Sequence, residues 1–451
     1  MAAIPPAFIE RMRAIPHLDA EALFAALDQP SVRGGRINPT RFATVADLSS
    51  ALGVPLSASP LHRDGFVVED ATLLGAHPLH AAGAYYLQEP SAALPVTVLD
   101  PQPGEMVLDL CAAPGGKTTA IAAAMAGEGT LVANEIHPTR ARSLATTLDR
   151  WGNANAVVTN ESPERLSGKL AQTFDRVLVD APCSGEGLFR RDLAARGEWS
   201  ERAVDGCARR QAGILEHAAV LTQPGGVLVY STCTFEEVEN ELVVRAFLRD
   251  HPGWELDPIE PIGGAVEGTL PGTVRVYPHL GAGEGQFVAR LRAPDGARRR
   301  VRTVEPGRAP GAAINAWNAF ANDALVAFDP PGPLILNGTT LVSAAAAPNL
   351  AGLAVLRAGV PLGWFRANRM EPTTGLAHIL DVEQANTAIP LEGADLDQYL
   401  RGEPIVAEAT GWTVMTVAGV PLGWGRAQRG TVRSKFPPSW RPWVHTSQLE
   451  H

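Results

Sequence analysis

The sequence predicts an α/β fold built on a parallel sheet, with a small N-terminal subdomain before it and a β-rich C-terminal domain after it. Three observations carry this. Between about residues 95 and 231 short apolar runs alternate with helical periodicity, the pattern of a parallel sheet covered on both faces. Residues 293–312, APDGARRRVRTVEPGRAPGA, have the Pro, Gly and Arg content of a linker. Beyond them the chain carries short strands and many glycines, with no strand–helix alternation.

Taken in order, residues 6–28 predict two short helices, with Phe8, Met12 and Ile15 on the first and Leu18, Leu23, Phe24 and Leu27 on the second. A Gly-rich stretch then leads into RINPTRF (36–42) and short apolar runs, giving a subdomain over 1–70. Within 71–293 strands are predicted at MVLDL (106–110), TLVANE (130–135), AVVT (156–159), DRVLVD (175–180) and GVLVYS (226–231). Helices are predicted over 117–126, 139–150 and 207–222. TVRVYP (273–278) and GQFVARL (285–291) have no helix between them, so they are expected to pair as a hairpin on the sheet edge. With 294–312 as linker, the remaining domain spans 313–448. It contains GVPLGWFRA from Gly359 and GVPLGWGRA from Gly419, an offset of 60 residues. Two similar β-hairpins in one small domain are expected from this, not a repeat array.

The chain of 451 residues is 45% apolar and 19% charged, an ordinary globular balance. A net charge of −10 argues against a nucleic-acid partner for the molecule as a whole, but phosphate recognition depends on local basic patches. Four cysteines in this length make no disulfide framework and read as reduced thiols. The N-terminal MAAIPPAFIERMR has no secretory architecture, and the longest small-residue run, 341–356, is broken by Pro348 and Asn349. A cytoplasmic protein without a membrane partner is expected.

Three segments carry chemistry, each at the carboxyl end of a predicted strand, where open α/β sheets bind ligands. The first is LDLCAAPGGKTT (108–119). A nucleotide P-loop would need glycine where Cys111 stands, so the Gly115-Gly116 turn reads as a cofactor loop, with Glu135 placed to meet a ribose. The others are DAPCSGEG (180–187) and YSTCTFEEVENE (230–241). Cys183 and Cys233 therefore emerge on the same edge as the loop. Cys207, inside a helical stretch, and Cys111 read as packing residues.

Together with NEIHPTR (134–140) and GAYYLQEPSA (83–92), these segments resemble the Nol/Nop/Sun family of RNA 5-methylcytosine methyltransferases over roughly 80–292. RINPTRF, VYPHLGAGEGQF (276–287) and the PLGW-containing domain look most like its RsmF-type bacterial branch, which modifies small-subunit ribosomal RNA. The resemblance implies a Rossmann-like methyltransferase sheet and S-adenosylmethionine as cofactor, with no metal. It assigns the cofactor to Cys111, Ala112, Ala113, Pro114, Gly115, Gly116 and Lys117, with Glu135 on the ribose, and Arg140 and Asp180 nearby. It makes Cys233 the nucleophile that adds to carbon 6 of cytosine and Cys183 the residue that helps release product. Asp180 would hold the ring edge or the cofactor, and Lys117 would lie near the base. Many members carry an Asp shortly after the third strand. Here Thr159 is followed by Asn160, Glu161 and Ser162, which leaves Glu161 as the candidate adenine contact.

The segment 419–445 carries Arg426, Arg429, Arg433, Lys435 and Arg441 with no carboxylate, interleaved with Trp424, Phe436, Trp440 and Trp443. Composition fits RNA binding and a solvated basic face over core tryptophans equally; the resemblance, to a PUA-type module, favours RNA. Arg298, Arg299, Arg300 and Arg302 in the linker extend that path. The N-terminal subdomain is likewise expected to touch RNA. The implied partner is ribosomal RNA or the small ribosomal subunit, met by a monomer. Transfer RNA or large-subunit RNA is the alternative substrate, and a non-catalytic ribosome-assembly factor the alternative class. Removing everything past about residue 312 is expected to leave cofactor binding intact.

Overall fold

The structure, a computed structural model, describes residues 3–71, 73–281, 283–299, 301, 303, 307–441 and 444. Arg300, Arg302 and Trp443 therefore lie outside the described residues.

The two expected N-terminal helices are Pro6–Arg13 and Ala20–Leu27. Their apolar faces, Phe8, Met12, Leu23 and Leu27, pack on Phe189, Trp199 and Phe235 of the chemistry-bearing region. An antiparallel sheet follows, in the order Ser57–Ala58, Gly65–Val68, Arg33–Ile37, Tyr85–Leu87. The last strand draws GAYYLQEPSA into this sheet, so the N-terminal unit reaches past residue 70.

The central sheet is built from β1 (Met106–Asp109), β2 (Thr130–Asn134), β3 (Ala156–Thr159), β4 (Phe174–Asp180), β5 (Thr222–Thr232), β6 (Val274–Val276), β7 (Gln286–Arg292) and β8 (Val355–Arg357). Its helices are α1 (Gly116–Ala124), α2 (Pro138–Trp151), α3 (Pro163–Leu170), α4 (Glu201–Leu221) and α5 (Glu241–Asp250). The spatial order is β6-β7-β5-β4-β1-β2-β3-β8, parallel from β5 to β3. As expected, β6 and β7 form an antiparallel hairpin beyond β5; two short strands complete the sheet there, Val266–Glu267 outside β6 and Glu255–Leu256 beside β7. Alternate strand residues enter opposite cores: Val107, Leu131, Val158 and Leu178 face α1 and α2, while Leu108, Val132, Val177 and Leu228 face α3, α4 and α5. Burial on both faces explains why the runs are apolar throughout and not alternating. Strand order reverses between β1 and β4, which opens a crevice at their carboxyl ends.

The C-terminal region differs from expectation in two ways. It contributes β8 to the central sheet, antiparallel to β3. Arg357 anchors that strand, 5% exposed, with Nε 2.7 Å from Asp149 and its other nitrogens on the Ala156 and Asn153 carbonyls. The two PLGW hairpins also lie in different sheets. Gly359–Arg366 and Arg369–Pro372 close a four-stranded sheet; Val420–Gln428 and Thr431–Ser434 belong to a five-stranded one. Both copies break register at the same place, opposite Pro361 and Pro421, with the following Leu362 and Leu422 fully buried. A proline without an N–H is tolerated in a strand at such a bulge.

Candidate active site at the strand ends

The three segments meet at the β1–β4 crevice. A cleft of about 250 Å³ is lined by Asp109, Cys111 to Pro114, Gly116, Lys117, Asp180, Cys233 and Gln286. Tyr86 to Glu89 line it from the N-terminal sheet, and Leu188 and Arg191 from the loop after β4.

Gly115 makes the loop at the start of α1. Its φ is 111°, and a Cβ there would lie 2.9 Å from Thr147 Cγ2, so only glycine takes this turn against α2. Arg36 of RINPTRF fixes the loop from the other side. It is 1% exposed and donates to the Gly116 carbonyl at 2.5 Å and Thr119 Oγ1 at 2.6 Å. Burial lowers its pKa to about 10. In the same motif Asn38 donates to the carbonyls of Gly83 and Trp151, and Arg41 to those of Leu380 and His378. One short segment thus binds the cofactor loop, the end of α2 and the C-terminal region. The sequence marked the motif but not this work, because none of its partners is nearby in the chain.

Asp180 at the end of β4 accepts from Lys117 Nζ at 2.7 Å, Ser231 Oγ at 2.8 Å and Gln286 Nε2 at 3.4 Å. Burial alone would lower the Lys117 pKa, but the Asp180 carboxylate outweighs it and the pKa is raised. Cys183 and Cys233 stand with their sulfurs 3.3 Å apart. The hydrogen bond to Cys233, then burial, pushes the Cys183 thiol well above the usual range. Cys111 is raised by burial, as suits a packing thiol, and Cys207 lies on α4.

The acid-rich run after Cys233 is spent on holding the loops. Glu236 takes Arg11 at 2.8 Å, and Asn240 is bonded to Thr232 and Thr234. Glu241 pairs with buried Arg275 at 2.6 Å. Glu239 accepts from Gln211 at 2.7 Å and from both the N–H and the hydroxyl of Ser184, the neighbour of Cys183. Burial raises its pKa to about 7. Gly187 donates its N–H to the Cys233 carbonyl at 2.8 Å, and a Cβ there would strike that oxygen. The two cysteine loops are therefore locked to each other.

Glu135 and Arg140 stand just past the end of β2, beside the loop. Glu135 is 3% exposed, accepts from the His137 N–H at 2.9 Å, and lies 3.4 Å from Arg140, which also donates to the Ala113 carbonyl. Glu161 is committed to Arg165 and to the Ala354 N–H at 2.7 Å each. These residues fit S-adenosylmethionine. Asp109 Oδ1 is a buried acceptor without a partner among the described residues, Asp180 offers a second carboxylate, and Glu135 marks the end of β2.

Tyr86, Gln88, Arg191 and Gln286 were not singled out from sequence. Tyr86 and Gln88 lie inside GAYYLQEPSA and Gln286 inside VYPHLGAGEGQF, and Arg191 stands four residues past DAPCSGEG; those motifs were the signals. At the C-terminus Arg426, Arg429, Arg433 and Lys435 are all exposed on one hairpin and just beyond it. Trp424 and Phe436, read beside them as possible RNA contacts, are instead core residues at 2% and 0% exposure. Arg298 pairs with Asp175 at the sheet end away from the cleft. No helix of the described residues is long and apolar enough to cross a membrane.

Residues 96–292 match the family described as 16S rRNA methyltransferase RsmB/F, and 4–90 the N-terminal domain of 16S rRNA methyltransferase RsmF. Residues 319–380 match the RsmF first C-terminal domain, and 386–442 the RsmF PUA domain. Ribosomal RNA small subunit methyltransferase F of Klebsiella pneumoniae (strain 342) is 32% identical over 96% of this chain and 95% of its own. The protein of the same name from Escherichia coli O17:K52:H18 (strain UMN026 / ExPEC) is 38% identical over 64% of this chain and 63% of its own. A solved methyltransferase homolog from Pyrococcus horikoshii superposes with a TM-score of 0.57 at 30% identity, covering 65% of this chain and 96% of that one. NSun6 from the same organism, solved with SFG, shares the fold at a TM-score of 0.58 and 20% identity, over 65% of this chain and all of its own.

Proposed function

The chain belongs to the ribosomal RNA small subunit methyltransferase F family of S-adenosylmethionine-dependent methyltransferases, and from that premise we propose that it methylates carbon 5 of a cytosine in 16S ribosomal RNA through a covalent adduct on Cys233. The observation that carries this reading is the pair of thiols, 3.3 Å apart, at the ends of adjacent strands beside Asp180 and Lys117. Carbon 5 of cytosine is a weak nucleophile until something adds to carbon 6.

Cys233 Sγ supplies that addition as thiolate. Its electron pair forms the sulfur–carbon 6 bond, and the ring electrons shift to carbon 5. S-adenosylmethionine, which 111–117, Glu135 and Asp180 would hold, would supply an electrophilic methyl group to carbon 5 and depart as the neutral thioether. Asp180, oriented by Lys117, Ser231 and Gln286, holds the ring edge. The base is Cys183, whose sulfur lies 3.3 Å from that of Cys233. Cys183 then gives its proton to water and accepts the carbon 5 proton. The carbon 5–hydrogen pair restores the ring double bond, and the carbon 6–sulfur pair returns to Cys233.

The exposed cations Arg426, Arg429, Arg433 and Lys435 guide the RNA, with the enzyme acting as a monomer in the cytoplasm. The test is to map 5-methylcytosine in ribosomal and transfer RNA from cells with and without the protein. A 16S cytosine that loses its mark supports the reading. Loss only in transfer RNA or large-subunit RNA moves the substrate, and no loss anywhere leaves an assembly factor.

A further inference from the structure

The two PLGW copies treat the same tryptophan in opposite ways. Trp424 is buried, donates its indole N–H to the Thr373 carbonyl at 2.9 Å, and packs edge-on against Phe320 and Trp412. Trp364, at the matching place after the bulge, is 42% exposed, the most open aromatic side chain among the described residues. The core has no need of it there.

Trp364 borders a cavity of about 310 Å³ at the seam between the two C-terminal sheets. One wall is the hairpin where Trp364 pairs with Glu371 and Arg366 with Arg369, so all four side chains share a face. The facing wall carries Trp412, Arg426 and Lys435. Arg426 lies 5.1 Å and Lys435 5.7 Å from the Trp412 ring centre. Asp323 holds Arg426 at 3.0 Å and Glu371 holds Lys435 at 2.5 Å. Arg366 and Arg369 are exposed and have no carboxylate partner among the described residues. The seam therefore joins two indole faces to four cations, two of them uncommitted.

We infer that this seam binds a nucleotide of single-stranded RNA, its base stacked on Trp364 and its flanking phosphates on Arg366 and Arg369. Flat π faces beside uncommitted guanidinium groups match a splayed base and its backbone. The identity of the RNA rests on the proposed function; binding at the seam does not. Half of the site comes from the first C-terminal domain, outside the PUA match.

The test uses the full-length protein and fluorescence anisotropy with a single-stranded RNA oligonucleotide, with and without abasic positions. Trp364→Ala should weaken the normal oligonucleotide roughly 10-fold or more and leave the abasic one unchanged. Arg366→Ala with Arg369→Ala should reduce the salt slope by about 1.4, the value for two single-strand phosphates. These side chains are exposed, so the melting temperature should not move. Wild-type affinity in both variants, or equal binding of both oligonucleotides by the wild-type protein, overturns the inference. So does an acidic peptide that binds the seam while RNA does not. Failure of methylation with seam binding intact would sink the proposed function and leave this inference standing.

Discussion

At the strand ends of the catalytic sheet the polar side chains are enclosed and bonded to one another, whereas at the C-terminal seam a tryptophan and four cations stand at the protein surface. Asp180 takes three donors, Glu239 fixes the loop of Cys183, and Gly187 ties that loop to Cys233. At the seam only Arg426 and Lys435 have carboxylate partners among the described residues lining it, and both are exposed pairs. Bond-making needs its groups held within a fraction of an ångström, which burial and dense hydrogen bonding provide. Gripping RNA needs charge that water and salt still reach, so that counterions can leave. The two regions differ in physical kind, and variants in each should fail differently.

The largest effect should separate the two thiols. Cys233→Ala should show no methylation and no adduct with RNA on a denaturing gel. Cys183→Ala should still attack and methylate but stall before elimination, leaving enzyme bonded to RNA. A stable adduct in Cys233→Ala alone would reverse the roles.

Next in size is Arg357, which lies in the C-terminal region yet is built like the catalytic edge. Arg357→Ala leaves the half-buried Asp149 carboxylate without its ion pair and removes the donor to two carbonyls, a loss of about 1–3 kcal/mol in urea unfolding. The expectation that truncation near residue 312 spares cofactor binding changes accordingly: such a chain lacks β8 and should be destabilised. If Arg357→Ala unfolds at the wild-type midpoint, the C-terminal region is a mere passenger on the sheet.

Glu135→Ala should weaken S-adenosylmethionine roughly 10- to 100-fold by calorimetry, the scale of one charged hydrogen-bonding group. RNA affinity should stay at the wild-type value, since Glu135 is far from the seam in kind and in role. Unchanged cofactor affinity would remove it from the site.

The smallest effect is a pH slope. Glu239 titrates at about 7 in the folded chain against an ordinary 4.5, so folding takes up a proton between those values. Stability contributed by that proton is present below about 4.5 and lost as pH rises through 7. Glu239→Gln should flatten this part of the stability profile. Identical slopes in both proteins would mean the Ser184 clamp carries an ordinary carboxylate.

The strands, helices and edge hairpin of the catalytic sheet were legible because they are local. A strand buried on both faces carries consecutive apolar residues, and MVLD, TLVAN, AVVT and FDRVLVD each contain a run of three. The meeting of the glycine loop and both cysteines on one edge was legible too, since a turn or a thiol after a strand end falls on that edge whatever surrounds it. Partnerships across the chain were not. That Arg36 reaches Gly116, that Val355–Arg357 extends a sheet begun 249 residues earlier at Met106, and that Glu239 serves Ser184 all depend on which distant surfaces meet.

Trp364 and Trp424 mark the boundary between the two kinds of knowledge. Their local sequences are nearly identical, GVPLGWFRA and GVPLGWGRA, and both form a strand of an expected hairpin, bulged beside the proline. The sequence by itself determined the backbone, because bulge, proline and pairing are local matters of sterics and hydrogen bonding. Only the tertiary structure decided the side chains' fates: helix Gly311–Ala324 brings Phe320 against Trp424, and no described element covers Trp364 in the same way. Burial is a property of neighbours, and neighbours are assigned by the whole fold.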